Sequence, residues 1–285
     1  MKISVASGKG GTGKTTVAVN LALSIDGEVH YFDCDVEEPN GHIFLKPVFE
    51  HTEPLGIMVP RVDFNKCDYC GMCADACEFS AILVARKKLM IFDELCHGCY
   101  ACQIVCKPHK DAITMVLHQT AVLEEGTAKN GIHFVHGKLN LGEPMPTPVI
   151  AQLKKRIPDS GTVIIDAPPG NSDAMVEAVI DTDFAILVTE PTPFGMHDLK
   201  LAVDTVKRLG VPMGIVVNRS DLGDRELWDY AESEGIPILM ETPFDRRIAE
   251  AYSRGIPIVE AIPEYRSRFK ELYEKIVKLV PEKRV

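Results

Sequence analysis

Lys2-Ile3-Ser4-Val5-Ala6-Ser7-Gly8-Lys9-Gly10-Gly11-Thr12-Gly13-Lys14-Thr15-Thr16 is the stretch that decides the fold. Lys2 to Ala6 is a short apolar run that reads as a buried strand, and Val17 to Ile25 carries apolar residues at helical spacing. A strand, a glycine-rich loop and a helix are what a phosphate-binding loop requires. Gly8, Gly10, Gly11 and Gly13, together with Thr12, let backbone N–H groups converge on phosphate oxygens, and the helix N-terminus adds a favourable dipole. In such a loop Lys14 lies along the β and γ phosphates, the Thr15 hydroxyl ligates Mg²⁺, and Thr16 donates to the α phosphate.

Lys9 narrows the reading. A lysine two residues into the loop, in the form Lys9-Gly10-Gly11-Thr12-Gly13-Lys14-Thr15, resembles the deviant Walker A of the MinD/ParA/Mrp and nitrogenase iron protein superfamily. The resemblance implies that Lys9 reaches phosphates bound by the other subunit of a face-to-face homodimer formed on ATP binding. Other landmarks follow in the family's order. Val29 to Phe32 is a strand ending in Asp33-Cys34-Asp35-Val36-Glu37-Glu38-Pro39-Asn40, which looks like the first switch segment. By that match Asp35 positions or polarises the attacking water and Asp33 assists at the metal or the phosphate loop. The β-branched run Thr162-Val163-Ile164-Ile165 reads as a central strand and leads into Asp166-Ala167-Pro168-Pro169-Gly170. Asp166 resembles the Walker B aspartate that holds Mg²⁺ through water, and Gly170 the glycine free to approach the γ phosphate. Without the family order, an Asp after a strand reads as a helix cap.

Asn218-Arg219-Ser220-Asp221 closes the nucleotide site, with Asn218 matching the residue that reads the base edge. The same four positions also resemble the NKxD of GTPases, which leaves GTP open. Pro243-Phe244-Asp245 resembles the adenine-side loop of the ATPase branch and favours ATP. Asp221 also reads as a turn or N-cap residue ahead of a helix around Glu226 to Glu234.

Eight of the nine cysteines fall in two copies of C-x2-C-x2-C-x3-C: Cys67, Cys70, Cys73, Cys77 and Cys96, Cys99, Cys102, Cys106, related by one shift of 29 residues. Such a run holds a cubane iron–sulfur cluster with three close thiolates and sends the fourth to the neighbouring cluster. Three cysteines spaced by two residues wrap one face of a cube, whereas the fourth lies on the next helical turn and points away. One [4Fe–4S] cluster is therefore assigned to Cys67, Cys70, Cys73 and Cys106, and the other to Cys96, Cys99, Cys102 and Cys77. The pattern resembles the bacterial two-cluster ferredoxins, including the Ala81-Ile82 and Ala112-Ile113 pairs after each run. It departs from them in placing Glu78 and Lys107, rather than Pro, after the fourth Cys. Zinc is the alternative, since C-x2-C pairs also make zinc sites. His97 and His109 among the thiolates read as loop residues. No cysteine follows Cys106, so the chain lacks the nucleotide-domain cysteines that bridge a cluster across the iron protein and Mrp-type dimers. Cys34, between the two switch aspartates, reads as a buried strand residue.

With 285 residues, the chain exceeds one typical domain and has apolar content enough for an α/β core and a small insert. The expected class is α/β: a parallel-sheet P-loop nucleotide-binding domain over 1–58 and 119–285, with a ferredoxin-like insert over 59–118. Strand runs at Phe184 to Val188, Met213 to Val217 and Ile238 to Met240 alternate with helical stretches at Asp198 to Leu209, Arg225 to Glu234 and Ile248 to Arg254. Gly131 to Leu139 suggests a hairpin arm, in which His133 and His136 would face opposite sides and serve structure rather than a metal. The last helix, Glu264 to Val280, carries Phe269, Leu272, Tyr273, Ile276 and Val280 on one face and is expected to dock on the core rather than on a membrane. A net charge of −10 argues against broad nucleic-acid binding. No run of eighteen apolar residues and no leader are visible, so a cytoplasmic, reducing setting is expected. The expected function is an Mg²⁺-dependent dimeric ATPase that couples nucleotide state to electron delivery to a redox or cofactor-assembly protein, with a metallochaperone that hands over a cluster or metal, or a MinD-like positioning switch with structural or sensing clusters, as alternatives.

Overall fold

A computed structural model describes residues 1–281. In chain order the first half contains β1 (Lys2–Ala6), α1 (Lys14–Ala22), β2 (Val29–Asp33), α2 (Gly41–Leu45), β3 (Val48–Val62), α3 (Met72–Asp75), β4 (Ile82–Ala85), β5 (Lys88–Ile91), α4 (Ala101–Cys106), β6 (Ile113–Thr127) and β7 (His133–Leu139). The second half continues with α5 (Thr147–Lys154), β8 (Thr162–Asp166), α6 (Asp173–Val179), β9 (Phe184–Thr189), α7 (Pro193–Leu209), β10 (Met213–Asn218), α8 (Glu226–Ser233), β11 (Ile238–Thr242), α9 (Arg246–Ser253), α10 (Ile258–Ala261) and α11 (Glu264–Leu279). The chain divides into two compact units. The larger holds residues 1–53, 123–138 and the chain from Ile150 onward; the smaller holds Pro54–Val122 and Leu139–Val149.

Among the described residues, the main sheet runs in the order β11-β10-β9-β1-β8-β2-β7-β6-β3. From β11 through β7 every neighbouring pair is parallel. Such strands are covered on both faces, which is why β8 and β9 are buried along their whole length and apolar except at Thr162, Asp166 and Thr189 near their ends. Ile3 of β1 lies between Ile164 on one side and Phe184 on the other. The chain leaves this central strand toward β2 in one direction and toward β9, β10 and β11 in the other. That reversal of strand order opens a crevice at the carboxyl ends, where ligands of open α/β sheets bind.

The C-terminal helix α11 docks on this core, burying Tyr265, Phe269, Leu272 and Ile276 in the same apolar cluster as Leu21 and Leu239. At about 1.5–3 kcal/mol for each buried large side chain, this face is spent on folding. No described helix is long and apolar enough to cross a membrane.

Two strands differ from expectation. β3 and β6 are each 15 residues long, where sequence reading ended the sheet domain near Met58 and began the insert at 59. β3 contains Pro54 and Pro60, yet it is the last strand of the sheet, the position where a missing N–H costs least. β6 turns into β7 through a tight hairpin, with Ala128 N–H donating to Ile132 O at 2.8 Å. His133 and His136 face opposite sides as expected, held by Glu125 and Glu124 respectively at 2.8 Å.

In the smaller unit the internal repeat is visible in the backbone. α3 and α4 occupy equivalent places in the two cysteine runs, and each preceding loop has two left-handed residues at matching positions. These are Tyr69 (φ 59°) and Gly71 (φ 88°) in the first, and Gly98 (φ 63°) and Tyr100 (φ 64°) in the second. Glycine and tyrosine have exchanged places, so each loop accepts one tyrosine in a conformation that costs an L side chain about 1–2 kcal/mol. The β4–β5 hairpin pairs Ile82 with Ile91 and covers Cys73, Cys102 and Ile113.

Candidate functional site

In the larger unit the cleft is built at the carboxyl ends of β1, β2, β8 and β10. The phosphate loop leaves β1 and enters α1 through Gly11 (φ 80°) and Gly13 (φ 93°), conformations only glycine adopts cheaply. Added Cβ atoms at Gly10 and Gly11 would meet nothing within 4 Å, so both face open space. Gly8 is needed for another reason: a Cβ there would lie 2.3 Å from the Asp198 carbonyl of α7.

A cavity of about 360 Å³ is lined by Gly11, Thr12, Gly13, Lys14, Thr15, Thr16, Asp35, Asn218 and Pro243 among the expected residues. Arg219 and Phe244, from the segments quoted around Asn218 and Pro243, also line it, as do Glu190, Ile248 and Tyr252, which sequence reading did not assign to the site. Gly8, Lys9, Gly10, Asp33, Asp166 and Gly170 are not on its wall.

Lys14 is buried and its Nζ lies 2.6 Å from Asp166 Oδ1 and 3.7 Å from Asp35 Oδ2. Burial acts against its charge, but Asp166, Asp35 and Asp33 together outweigh burial and hold its pKa above the ordinary value. Burial, reinforced by Asp166, pushes the Asp33 carboxyl well above the usual carboxylate range. Asp35 is raised to about 6, again by burial, with Lys14 opposing the shift. Asp166 and Asp35 thus flank one lysine, and their oxygens suit a divalent cation once phosphates take up the lysine. Thr12 Oγ1 is buried with no protein partner, as expected of a group that meets a ligand. Phosphates and Mg²⁺ therefore fit the residues present.

Several side chains act differently from expectation. Asp33 accepts from Gly41 N–H at 2.8 Å and Asp35 N–H at 3.2 Å, so it braces the turn that carries Asp35 instead of facing the cleft. Gly170 N–H donates to Ser7 O at 3.0 Å, which ties the segment after β8 to the start of the phosphate loop. Asp221 caps no helix. Its Oδ1 accepts from Phe244 N–H at 2.6 Å and pins the Pro243-Phe244-Asp245 loop, leaving Asp224 to receive Glu226 N–H. Asn218 Nδ2 donates to Thr12 O at 2.6 Å, linking the end of β10 to the phosphate loop. Cys34 is wholly buried, and burial with Asp33 drives its thiol far up, so it is an inert core residue.

Tyr31, within β2, is the residue sequence reading missed entirely. Its hydroxyl donates to Asp166 Oδ2 at 3.0 Å, so Asp166 is held from one side by Lys14 and from the other by Tyr31. The available signal was a tyrosine inside a fully buried strand, whose hydroxyl must find an acceptor.

The smaller unit gathers the cysteines into two quartets. Cys67, Cys70, Cys73 and Cys106 line one cavity, and Cys77, Cys96, Cys99 and Cys102 line another. Each takes three cysteines from one run and the fourth from the other. Burial raises the thiols of Cys73 and Cys96, and that of Cys102 to about 11, so a bound metal would have to supply the charge that keeps them deprotonated. Ala112 N–H points at Cys106 Sγ at 3.4 Å, a contact that would stabilise a thiolate.

A phosphate loop at the switch point of a parallel sheet, with a buried lysine among aspartates, defines a P-loop ATPase. Residues 3–258 match the CobQ/CobB/MinD/ParA nucleotide binding domain, and the chain belongs to that family. An uncharacterized protein of Methanocaldococcus jannaschii is 32% identical across 90% of this chain and 90% of its own length. An iron-sulfur cluster carrier protein of Pyrococcus horikoshii is 28% identical across 99% of this chain and 87% of its own. The septum site-determining protein MinD of Pyrococcus horikoshii, solved with Mg-ADP, superposes with a TM-score of 0.59 at 21% identity, covering 98% of this chain and 96% of that one. That likeness is one of fold, an α/β architecture around a mostly parallel sheet.

Proposed function

We propose that this chain is an Mg²⁺-dependent ATPase, dimeric when ATP is bound, that couples nucleotide state to electron delivery through two [4Fe–4S] clusters held by the smaller unit. The observation that carries the reading is the pair of four-cysteine cavities, each lined by three cysteines from one run and one from the other. Four thiolates per cluster leave no open coordination position, which favours resident redox groups over cargo in transit. In this reading residues 59–118 are a ferredoxin-like insert in a nucleotide-binding domain of 1–58 and 119–285. Such clusters would supply one-electron transfer to a redox or cofactor-assembly partner in the cytoplasm.

On the nucleotide side, Lys14 exchanges Asp166 and Asp35 for the β and γ phosphates, and the Gly10–Gly13 backbone surrounds them. Thr15 and, through water, Asp166 would hold Mg²⁺, which supplies charge neutralisation at the phosphates. Asp35 orients the attacking water, and Asp33 keeps Asp35 in place through the turn it braces. Lys9, whose side chain has no partner among the described residues, is available to reach a second subunit's phosphates. Asn218 and Pro243 face the base, with Asp221 holding the Pro243 loop. Asp221 does not line the cavity and its Oδ1 holds Phe244 N–H, which favours ATP over GTP.

A second reading, transfer of the cluster itself, is favoured by the named function of the 28% identical relative, an iron-sulfur cluster carrier protein. One experiment separates them. Cluster reduction potentials and chelator release rates are measured with ADP and with a trapped ATP form. Electron delivery requires a nucleotide-dependent potential, about 60 mV for each tenfold of coupling, with clusters retained. Iron released on ATP binding at unchanged potential would support the carrier reading. Identical values in both forms would sink both.

A further inference from the structure

Away from the phosphate loop, at the opposite end of β2, two histidines stand side by side on adjacent parallel strands. His30 of β2 and His133 of β7 are register partners, and their Nδ1 atoms are 3.3 Å apart. Each ring is backed by a glutamate on its other nitrogen. His133 Nε2 lies 2.8 Å from Glu125 Oε1. His30 Nε2 lies 3.3 Å from Glu28 Oε1, within ion-pair range though off the line of a good hydrogen bond. Glu125 keeps the His133 proton on Nε2, so the His133 Nδ1 lone pair faces His30 Nδ1, which donates to it in one tautomer of His30 and turns a second lone pair into the same gap in the other. In that second tautomer the two lone pairs repel unless a cation lies between them.

We infer that His30 and His133 bind a first-row divalent metal ion such as Zn²⁺ through their Nδ1 atoms, at a site separate from both the nucleotide and the cysteines. Two nitrogens bound tetrahedrally at about 2.0–2.1 Å stand about 3.3 Å apart, the separation found here. The ring centroids are 5.3 Å apart with planes at 74°, a separation compatible with one ion held between the two Nδ1 atoms. Imidazole suits zinc, copper and nickel, and a carboxylate on the far nitrogen is the usual support of a metal-bound histidine. His30 is buried and the His133 side chain is 32% exposed, so the remaining coordination positions open to water or a small anionic ligand on the His133 side. His136 takes no part, because it faces the other side of β7 and pairs with Glu124.

The test is Zn²⁺ titration of the full chain in competition with a chromogenic chelator, compared between wild type and variants. Zinc taken up by cysteines is common to all and cancels. Wild type should bind one more Zn²⁺ per chain than His133→Gln, a loss of at least 100-fold in affinity at this site. Glu125→Gln should keep the site but weaken it about tenfold, the loss typical of removing a supporting carboxylate. Thermal unfolding controls for the fold, and Glu125→Gln carries the test alone if His133→Gln does not fold. Equal binding by wild type, His133→Gln and Glu125→Gln overturns the inference. So does loss of the extra ion in His109→Gln, which would assign it to the exposed Asp68, Cys70 and His109 group instead.

Discussion

The two units of this chain are held together by different things. The larger rests on a continuous apolar core of fully buried side chains, from Ile3 and Leu21 through Phe134 and Ile164 to Phe269 and Ile276. In the smaller unit the apolar clusters are short, and cysteines are among their members: Cys96 in one, Cys73 and Cys102 in the other. A unit of that size buries too little apolar surface to be stable alone and relies on ligation or cross-links. One part of the chain thus folds by hydrophobic burial, and the other, on the proposed reading, by ligation of its cysteines.

The largest expected effect follows from that contrast. Stripping iron from anaerobic protein should abolish amide protection across α3, α4 and the β4–β5 hairpin while β1, β8 and β9 stay protected. Ligation free energies for small metal-dependent folds are on the order of 10 kcal/mol, larger than the whole stability of many domains. Hydrogen exchange read by mass spectrometry measures it. Persistent protection in the cysteine unit after iron removal would break the comparison.

Next in size is Lys14→Ala, which should reduce ATP affinity by at least 100-fold, since it removes the charge that meets the β and γ phosphates. It also leaves Asp166 and Asp35 without their counter-charge, so fluorescence-based binding should be accompanied by thermal unfolding. Cluster content should be unchanged. Loss of iron from Lys14→Ala would show that the two units do not fold independently.

Much of this was readable from residue order. The phosphate loop is legible because strand, glycines and lysine are contiguous, and the cysteine runs because their spacing repeats without a gap. Tyr31 was not, because its role depends on Asp166, 135 positions away, and nothing local distinguishes it from a packing residue. β3 was not, because Glu50-His51-Thr52-Glu53-Pro54 reads as loop, and only edge position makes that composition acceptable in a strand. Asp221 illustrates the reverse: a motif letter was visible, but whether it faced a base, a helix end or the Phe244 amide was decided by folding. The His30–His133 pair required knowing that β2 and β7 are neighbours.

A smaller effect concerns pH. Asp35 titrates near 6 in the folded protein, above the roughly 3.9 of an unfolded aspartate, because burial disfavours its charge. A raised carboxylate contributes stability that is complete below about pH 4 and lost as pH rises through 6. In the absence of nucleotide, Asp35→Asn should therefore gain about 1–2 kcal/mol on wild type at pH 7.5, and the gain should vanish near pH 4. Denaturant unfolding at both pH values checks it. A difference independent of pH would mean that Lys14 keeps Asp35 ionised throughout.

The smallest effect tests the internal repeat within the cysteine unit. Tyr69 and Tyr100 each occupy a left-handed position whose counterpart in the other run is glycine, Gly98 and Gly71. If the backbone alone sets these loops, Tyr100→Gly relieves strain of about 1 kcal/mol, part of which is returned because glycine is more flexible when unfolded. Tyr100 also lines the cavity of Cys77, Cys96, Cys99 and Cys102, as Tyr69 lines that of the other quartet. Removing either ring admits water beside its own quartet, and solvent exposure tunes cluster potentials. Tyr100→Gly should thus leave global stability within about 0.5 kcal/mol while shifting the potential of one cluster and not the other. Tyr69→Gly should shift the other. Voltammetry with denaturant melts would read both quantities. A stability loss above about 2 kcal/mol without a change in potential would mean that the tyrosines are packing residues and that the repeat's symmetry is confined to its ligands.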